Sequence, residues 1–140
     1  MDVVTSVNNC YIIFEFCEGC DLEKVLFQRK RFAEEEIDKI VYDTFKGLQY
    51  LETLSIIHRD LKIANIFLGK DNQIKIADFG FATKGKAFFK DIHIGSPIYM
   101  SPEGLISQVY GPKTDVWSFG VMIYELIHGK PPLAHCKTEQ

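Results

Sequence analysis

The chain of 140 residues has little of what would mark a membrane, secreted or nucleic-acid-binding protein. Its longest apolar stretches, around residues 11–14 and 121–124, are far too short to cross a bilayer, and no basic and apolar leader precedes them. Its net charge of −3 predicts no strong electrostatic attraction to nucleic acid or to an anionic membrane surface. These absences predict a cytoplasmic, intracellular protein with no membrane segment and no nucleic-acid partner.

Cysteine is scarce as well, with four residues in the chain. Cys17 and Cys20 form a C-x-x-C pair, which raises the possibility of redox or zinc chemistry. A zinc site requires a second pair of ligands, and the chain offers only isolated Cys10, Cys136 and scattered histidines. A thioredoxin-like motif requires a βαβ context that the pattern does not indicate. The sequence favours free, reduced thiols, as is usual in the cytosol.

The length fits one domain, and a chain of this size can bury about two thirds of its unfolded surface. The apolar, β-rich run at 10–16 predicts a buried strand. Asp21 is a candidate N-cap for a short helix. Apolar residues at helical spacing from Glu34 to about Glu52, after an acidic first turn, predict a long amphipathic helix.

The second half of the chain alternates turns with short apolar runs. Residues 63–68 and 73–76 bracket a turn at 69–72 and predict a β-hairpin. Residues 81–95 show no periodicity and predict a mobile loop. A helix capped by Thr114 or Asp115 should run to about His128 and, being apolar on nearly every face, should be buried at the centre of the domain.

Motifs at fixed intervals carry most of the functional information. HRDLKIAN occupies residues 58–65, ADFG residues 77–80, SPE residues 101–103 and DVWSFG residues 115–120. By these motifs the chain resembles the eukaryotic protein kinases, whose signature includes HRDLxxxN, DFG and APE. Lys62, two places after the aspartate of HRD, resembles the serine/threonine branch. DFGFA at 78–82 and GSPIYMSPE at 95–103 look most like the autophagy-initiating kinases and their relatives.

The resemblance implies a phosphoryl-transfer site that uses ATP and Mg²⁺, in which positioning and charge neutralisation supply most of the catalysis. Asp60 is the expected base for the substrate hydroxyl, and Lys62 is expected to reach the γ-phosphate. Asn65 and Asp78 present oxygen ligands suited to Mg²⁺. Gly80 is expected to let the backbone turn so that Asp78 points into the cleft.

Other motif residues are expected to hold the site together. His58 and Phe79 should serve in packing and structural hydrogen bonding. Asp115 resembles the residue that anchors the catalytic loop through backbone hydrogen bonds, and a plain N-cap is the alternative.

For the nucleotide, residues 10–17 resemble the strand and hinge that bond the adenine edge, with Phe14 in the gatekeeper position. Glu15 is expected to offer its carbonyl and Cys17 its amide. Asp21 resembles the acidic residue near the ribose hydroxyls or a basic substrate side chain, although an N-cap role suits it equally. Phe67 is expected to form an apolar floor beneath the purine.

The implied fold is α+β and protein-kinase-like, mainly the helical C-terminal lobe with a hinge strand and small β-hairpins. Residues 1–140 are expected to be a partial kinase domain, from the hinge through the central buried helix and truncated at both ends. The Gly-rich loop, the phosphate-binding lysine and the C-terminal helices are not found in this sequence. In the family, Glu103 pairs with an arginine further downstream.

The predicted activity is transfer of the ATP γ-phosphate to a Ser or Thr hydroxyl of a protein substrate. Taken alone, a chain of this extent is expected to be inactive. A pseudokinase-like binding or scaffold fragment is the main alternative. A small-molecule phosphotransferase shares the base and metal layout, but the SPE-anchored segment, which holds a peptide, disfavours it.

Arg59 precedes the predicted base, an arrangement that in the family usually accompanies a phosphorylated loop residue. The usual acceptor position is occupied by Ile92, which cannot be phosphorylated. The adjacent Asp91 is hypothesised to pair with Arg59 instead, with a solvated carboxylate as the alternative. Ser96 is expected to belong to the substrate-binding loop beside Asp60.

Overall fold

The computed structural model describes residues 2–85, 89–90, 95–132 and 134. In these residues the chain forms helices and short antiparallel strands, which confirms the α+β class. The helices of the described ranges are α1 (Leu22–Arg29), α2 (Glu34–Thr53), α3 (Pro102–Ser107) and α4 (Thr114–His128). None of them is long and apolar enough to span a membrane.

The strands of the described ranges pair as two-stranded antiparallel ribbons. The pairs are β1 (Asp2–Thr5) with β2 (Cys10–Ile13), β3 (Ile56–Ile57) with β6 (Thr83–Lys84), β4 (Ile66–Leu68) with β5 (Ile74–Ile76), and β7 (Phe89–Lys90) with β8 (Val109–Tyr110). Since an isolated two-stranded ribbon is only marginally stable, the β4–β5 ribbon depends on helix α2, which packs against β5.

Helix α1 begins where the sequence predicts. The Asp21 carboxylate accepts a hydrogen bond from the Lys24 amide at 2.9 Å, which satisfies one of the free amides of the first turn. The helix ends at Lys30, whose φ of 69° is left-handed. Its buried face carries Leu22, Val25 and Leu26.

Helix α2 confirms the predicted long amphipathic helix. Glu36 reaches back to the Ala33 amide at 2.9 Å and also pairs with Arg29 at 2.8 Å, so it caps α2 and ties it to the end of α1. Gly47 lies on the face toward β5, where an added Cβ would come within 2.6 Å of the Ile76 Cδ1 atom. This close approach lets α2 pack directly on the β4–β5 ribbon.

The core lies where α1, α2, α4 and the β4–β5 ribbon meet beneath residues 61–66. Its buried members are Leu22, Val25, Leu26, Phe32, Ile40, Leu61, Ile63, Ile66, Met122 and Leu126. Residues 61–66 belong both to this core and to the HRDLKIAN motif. Burial of the apolar side chains in this segment therefore fixes the positions of its polar side chains.

The prediction of a buried strand at 10–16 is wrong in both extent and burial. Strand β2 ends at Ile13, and every residue of β1 and β2 is exposed. Phe14 and Phe16 remain 69% and 82% exposed. The apolar composition predicted burial, but among the described residues no further strand or helix covers this ribbon.

Helix α4 has the predicted bounds, but its predicted cap and its full burial are both wrong. Lys113 occupies the N-cap position without a side-chain hydrogen bond, and Thr114 and Asp115 lie inside the helix. One face of α4 is buried, whereas Trp117 is 46% and Ile127 57% exposed. The described part of the chain packs against only one side of this apolar helix.

Two further boundaries differ from prediction. The predicted strand at 63–68 begins with a single 3₁₀ turn, Ile63–Asn65, and only Ile66–Leu68 pairs with β5. Within the predicted mobile loop at 81–95, residues 83–84 form β6 and residues 89–90 form β7, which pair with β3 and β8, whereas residues 86–88 and 91–94 lie outside the described ranges. Strand pairing with distant residues provided order that local periodicity does not reveal.

Candidate active site

The HRD loop is anchored to the start of α4. The Asp115 carboxylate accepts hydrogen bonds from the His58 amide at 2.7 Å and the Arg59 amide at 2.9 Å. This confirms the anchoring role of Asp115 and rules out a plain N-cap. Burial raises the pKa of the Asp115 carboxyl, and the two amide hydrogen bonds oppose that shift. Arg59 has a φ of 70°, so these contacts hold the chain in a conformation that side chains rarely adopt.

His58 joins the HRD and DFG segments. Its fully buried ring donates from Nε2 to the Ala77 carbonyl at 2.9 Å and accepts from the Asp60 amide at Nδ1, at 3.3 Å. These partners require the neutral tautomer protonated at Nε2. The Phe79 ring meets the imidazole edge-on, with centroids 4.9 Å apart. The predicted structural roles of His58 and Phe79 are confirmed.

The Asp60 carboxylate is buried and held from two sides. Its Oδ1 accepts the Ser96 amide at 2.9 Å and the Ser96 hydroxyl at 3.0 Å. Its Oδ2 accepts from Asn65 Nδ2 at 3.1 Å and pairs with Lys62 Nζ at 2.9 Å. Lys62 Nζ also donates to Ser96 Oγ at 2.8 Å. The fold thus brings three of the predicted catalytic residues and Ser96 into one bonded cluster.

Gly95 permits this arrangement. Its φ is 105°, and an added Cβ would lie 2.5 Å from the Arg59 carbonyl oxygen. Only glycine allows the backbone before Ser96 to come this close to the HRD loop. The glycine of the GSP motif therefore has a direct steric role in delivering Ser96 to Asp60.

Asn65 is oriented by its amide nitrogen. Nδ2 donates to the Asp60 carbonyl at 2.8 Å and to the Asp60 carboxylate, so Oδ1 faces the other way. The Asn65 carbonyl accepts the Ala77 amide at 2.9 Å, which sets the residue before Asp78 against Asn65. This backbone contact links the HRD loop to the DFG segment.

Asp78 makes the backbone turn itself. Its φ is 59°, whereas Gly80 is not among the residues with positive φ, so the prediction that Gly80 provides the turn is wrong. Gly80 instead donates its amide to Asp78 Oδ1 at 3.3 Å. Aspartate tolerates the left-handed region better than most residues because its short side chain can bond locally. The Asp78 carboxylate is exposed.

The predicted ligands Asn65 and Asp78 fit Mg²⁺ better than they fit a metal that is coordinated by protein side chains alone. In the described residues no group of three or more His, Cys, Asp or Glu side chains is placed to hold a metal. Asn65 and Asp78 offer oxygen ligands, and Mg²⁺ usually binds one or two carboxylates together with waters and substrate phosphates.

The predicted nucleotide residues gather near one end of the β4–β5 ribbon. The Gly19 amide donates to the Leu68 carbonyl at 2.9 Å, and the Leu68 amide donates to the Cys20 carbonyl at 2.9 Å. Asp21 forms an isolated antiparallel bridge with Phe67. The segment that follows the predicted hinge is thereby joined to the strand that carries the predicted purine floor.

Different contacts fix the predicted nucleotide-binding residues Glu15, Cys17 and Asp21. Glu15 pairs through its side chain with Lys75 at 2.9 Å, and Cys17 is half-buried. The Asp21 N-cap role is confirmed. Burial opposes ionisation of Asp21, but the hydrogen bonds and charge of Lys24 outweigh it and lower the pKa of the carboxyl.

The structure also contains a buried side-chain pair that the sequence does not predict. The Tyr99 hydroxyl donates to the Glu125 carboxylate, and Ser118 Oγ donates to the Tyr99 carbonyl at 2.8 Å. Burial raises the pKa of both Tyr99 and Glu125. These residues are widely separated in sequence, so no local pattern signals their contact. The hypothesised Asp91 partner of Arg59 lies outside the described residues.

A cavity of about 750 Å³ lies on another side of the molecule, between α2, β3 and the start of α4. Its lining includes Phe45, Leu48, Ile57 and Phe119. Asp115 also borders it, but none of the predicted catalytic residues does. The cavity is therefore separate from the HRD and DFG cluster.

These features define a protein-kinase-like catalytic lobe: an HRD loop anchored to α4, a DFG segment bonded to it, and a GSP segment on the predicted base. A family model described as the protein kinase domain matches residues 1–140. The chain belongs to the eukaryotic protein kinase superfamily. The resemblance to the superfamily is thus confirmed, and the resemblance to autophagy-initiating kinases stays a prediction.

Curated relatives agree with this assignment. The human hormonally up-regulated neu tumor-associated kinase is 36% identical over 136 residues, covering 94% of this chain and 19% of that protein. The serine/threonine-protein kinase STE20 of Debaryomyces hansenii is 38% identical over 124 residues, covering 87% and 11%. The kinase CST20 of Candida albicans is 40% identical, covering 87% and 10%. The chain spans about a tenth to a fifth of these relatives.

Proposed function

We propose that this chain is part of a protein serine/threonine kinase that transfers the γ-phosphate of ATP to a Ser or Thr hydroxyl of a protein substrate. The observation that supports this most is the bonded cluster of Asp60, Lys62, Asn65 and Ser96. The fungal relatives are named serine/threonine-protein kinases, which supports the acceptor class. An intracellular, cytoplasmic site of action belongs to the proposal, since ATP is abundant there.

Asp60 is proposed to orient the substrate hydroxyl and accept its proton. Its two oxygens are fixed by different partners, Ser96 on one and Asn65 with Lys62 on the other. A carboxylate held in this way does not need to reorganise when the hydroxyl arrives, and general-base placement contributes about 10²–10⁴-fold. The two contacts at each oxygen already use the roughly four acceptor sites of a carboxylate, so the substrate hydroxyl is proposed to replace one of them while the other contacts hold the carboxylate in place.

Lys62 is proposed to neutralise charge on the transferring phosphoryl group. Its ammonium is partly exposed, with 24% of the side chain accessible, and it already bridges Asp60 and Ser96. A flexible lysine in this position can stay beside Asp60 and still contact phosphate oxygens that approach from the solvent side. The Ser96 hydroxyl accepts from Lys62 while donating to Asp60, so it holds both groups at the substrate end.

Asn65 Oδ1 and the Asp78 carboxylate are proposed to hold Mg²⁺. Bound there with ATP, the ion would neutralise charge on the phosphate oxygens. Asn65 is suited to this because its side-chain hydrogen bonds to Asp60 both use Nδ2, which leaves Oδ1 directed away from Asp60. Asp78 is suited because its backbone turn exposes the carboxylate.

The adenine is proposed to lie between the hinge residues and Phe67. Glu15 would contribute its carbonyl and Cys17 its amide, and neither group takes part in a backbone hydrogen bond within the described residues. Asp21 would approach the ribose with whichever carboxylate lone pairs its contacts with Lys24 leave available.

The chain is proposed to carry the part of a kinase domain from the hinge to the central helix. The Gly-rich loop, the phosphate-binding lysine and the helices that follow α4 would come from further sequence. This fits the fully exposed β1–β2 ribbon and the exposed face of α4. A scaffold fragment that binds partners without turnover is the alternative outcome.

The test uses the 140-residue chain and a chimera that places the amino-terminal lobe of the human relative before it and the carboxy-terminal helices of that relative after it. The chain alone should phosphorylate a mixed Ser/Thr peptide library no better than its own Asp78→Asn variant. The chimera should be active, and Asp60→Asn should reduce its kcat about 10²–10⁴-fold.

Asp71→Asn is the matched control, since Asp71 is exposed in the turn between β4 and β5 and asparagine tolerates its φ of 55°. It should retain the parent rate. Full activity of the Asp60→Asn chimera would contradict the base role. A folded chimera that binds peptide but never transfers phosphate would favour the scaffold alternative.

A further inference from the structure

The C-x-x-C pair of Cys17 and Cys20 has no role as a pair in the proposed phosphoryl transfer. Glu18 and Gly19 form a turn, so the two cysteines occupy the first and fourth positions of that turn. The Cα atoms at these positions of a β-turn lie less than about 7 Å apart. A disulfide joins Cα atoms about 4.4–6.8 Å apart. The fold therefore holds the two cysteines close to the separation that a disulfide requires.

Cys20 occupies this position despite backbone strain. Its φ is 62°, in the left-handed region that glycine adopts freely and side chains rarely do. Its side chain is exposed, so packing does not explain the residue. Strain of this kind persists where the surrounding structure enforces it and is concentrated at functional positions. An exposed thiol at a strained turn position is thus best explained by its chemistry.

The two ends of the turn are held differently. The exit is pinned, because Gly19 donates to the Leu68 carbonyl and Cys20 accepts from the Leu68 amide, both at 2.9 Å. Gly19 is required there, since an added Cβ would lie 2.5 Å from the Leu68 Cβ. At the entry, residues 14–17 make no backbone hydrogen bond to other described residues. In the described residues the entry is tied to the body through the Glu15–Lys75 ion pair, whereas the Cys17 backbone is not fixed by hydrogen bonds as that of Cys20 is.

We propose that Cys17 and Cys20 form a reversible thiol–disulfide modification site, oxidised by hydrogen peroxide and reduced by small thiols. One thiolate attacks a peroxide oxygen, which forms a sulfenic acid and releases hydroxide. The other thiolate attacks the sulfenic sulfur, forms the S–S bond and releases a second hydroxide. The pair loses two electrons and two protons, and the peroxide becomes two waters. Thiol exchange through a mixed disulfide reverses the reaction.

The experiment oxidises the folded, reduced 140-residue chain with hydrogen peroxide, alkylates the remaining thiols and digests the chain with a protease that cleaves after glutamate. Glu18 separates the two cysteines, so peptides 16–18 and 19–23 stay together only if a disulfide joins them. The expected product is this linked species, with both thiols lost at a rate independent of protein concentration. Dithiothreitol should return both thiols.

Cys10 is the internal control, since it is a free and exposed cysteine on β2, outside the turn. It should remain alkylatable while the pair is linked, and a Cys10→Ser chain should still give the linked peptides. Cys20→Ser should abolish them. Cys20→Gly should do the same while restoring the residue that the left-handed φ favours, so loss of linkage there cannot be attributed to misfolding.

Three results would overturn the proposal. One is oxidation of Cys10, Cys17 and Cys20 at equal rates to sulfinic acids with no linked peptides. Another is linkage of Cys17 to Cys10 in place of Cys20. The third is linkage that forms as fast in urea as in the folded chain, because the turn would then contribute nothing to the reaction.

Discussion

The HRD loop at 58–65 and the hinge region at 2–20 are held in opposite ways. The loop is hydrogen-bonded to three distant parts of the chain: it donates to Ala77 and Asp115 and accepts from Ser96. In the hinge region, β1 and β2 pair with each other, and the links to the rest of the molecule include the contacts of Glu15 and of residues 19–20. The HRD loop is thus bonded across long sequence separations, whereas the β1–β2 ribbon is not.

This difference predicts different local stabilities. Opening the HRD loop breaks buried polar contacts on several elements and should require nearly global unfolding. Opening the β1–β2 ribbon exposes little additional surface, because its residues are already exposed. Amide hydrogen exchange should therefore be slow at His58 and Arg59 and fast along the ribbon.

The largest expected effect comes from removing the anchor of the HRD loop. Asp115→Ala leaves the buried His58 and Arg59 amides without their acceptor, at about 1–3 kcal/mol each. The free energy of unfolding in urea should fall by about 2–6 kcal/mol. Asp38→Ala, at an exposed position of α2, is the control and should change it by less than about 0.5 kcal/mol. Equal effects would show that the anchor adds no stability.

A smaller effect is expected where the hinge region is joined to β4. Gly19→Ala places a Cβ 2.5 Å from the Leu68 Cβ and 3.0 Å from its carbonyl oxygen, which forces a backbone shift. The expected loss is about 1–3 kcal/mol. At Gly47 the Cβ would meet only the mobile Ile76 Cδ1, and alanine raises helix propensity by about 1 kcal/mol. Gly47→Ala should therefore cost less than Gly19→Ala, and the reverse order would contradict the pinned turn.

A third effect depends on pH. Burial raises the pKa of Glu125 above its ordinary value of 4.5, so the folded chain binds this proton more tightly than the unfolded chain does. The contribution is fully present below pH 4.5 and is lost as the pH rises through the raised pKa. Glu125→Gln should remove that part of the slope of unfolding free energy against pH. An unchanged slope in Glu125→Gln would refute the assignment.

The smallest effect on stability is expected in the β1–β2 ribbon. Ile12 is 54% exposed, and threonine suits a strand equally well, so Ile12→Thr should change the unfolding free energy by less than about 0.5 kcal/mol. The same change should reduce self-association measured by light scattering, because the ribbon presents apolar side chains and an open edge. A loss above about 1 kcal/mol would mean that the ribbon packs against the body of the protein.

The sequence alone was sufficient for the family and for the long helices. The order and spacing of HRDLKIAN, ADFG and SPE indicated a protein kinase, which the family comparison confirms. Helices α1, α2 and α4 followed from local periodicity, and the N-cap of α1 followed from Asp21. The helices depend on residues within a few turns of one another, so the linear sequence contains the information needed to predict them.

Only the tertiary structure decided what each polar group contacts and which apolar residues are covered. Asp115 could cap α4 or anchor the HRD loop, and the fold placed the His58 and Arg59 amides on it. The apolar run after Cys10 predicted burial, but burial requires a neighbouring surface that composition does not specify. The Tyr99–Glu125 pair joins segments that are far apart in sequence. Such contacts depend on how elements pack, which periodicity and propensity leave open.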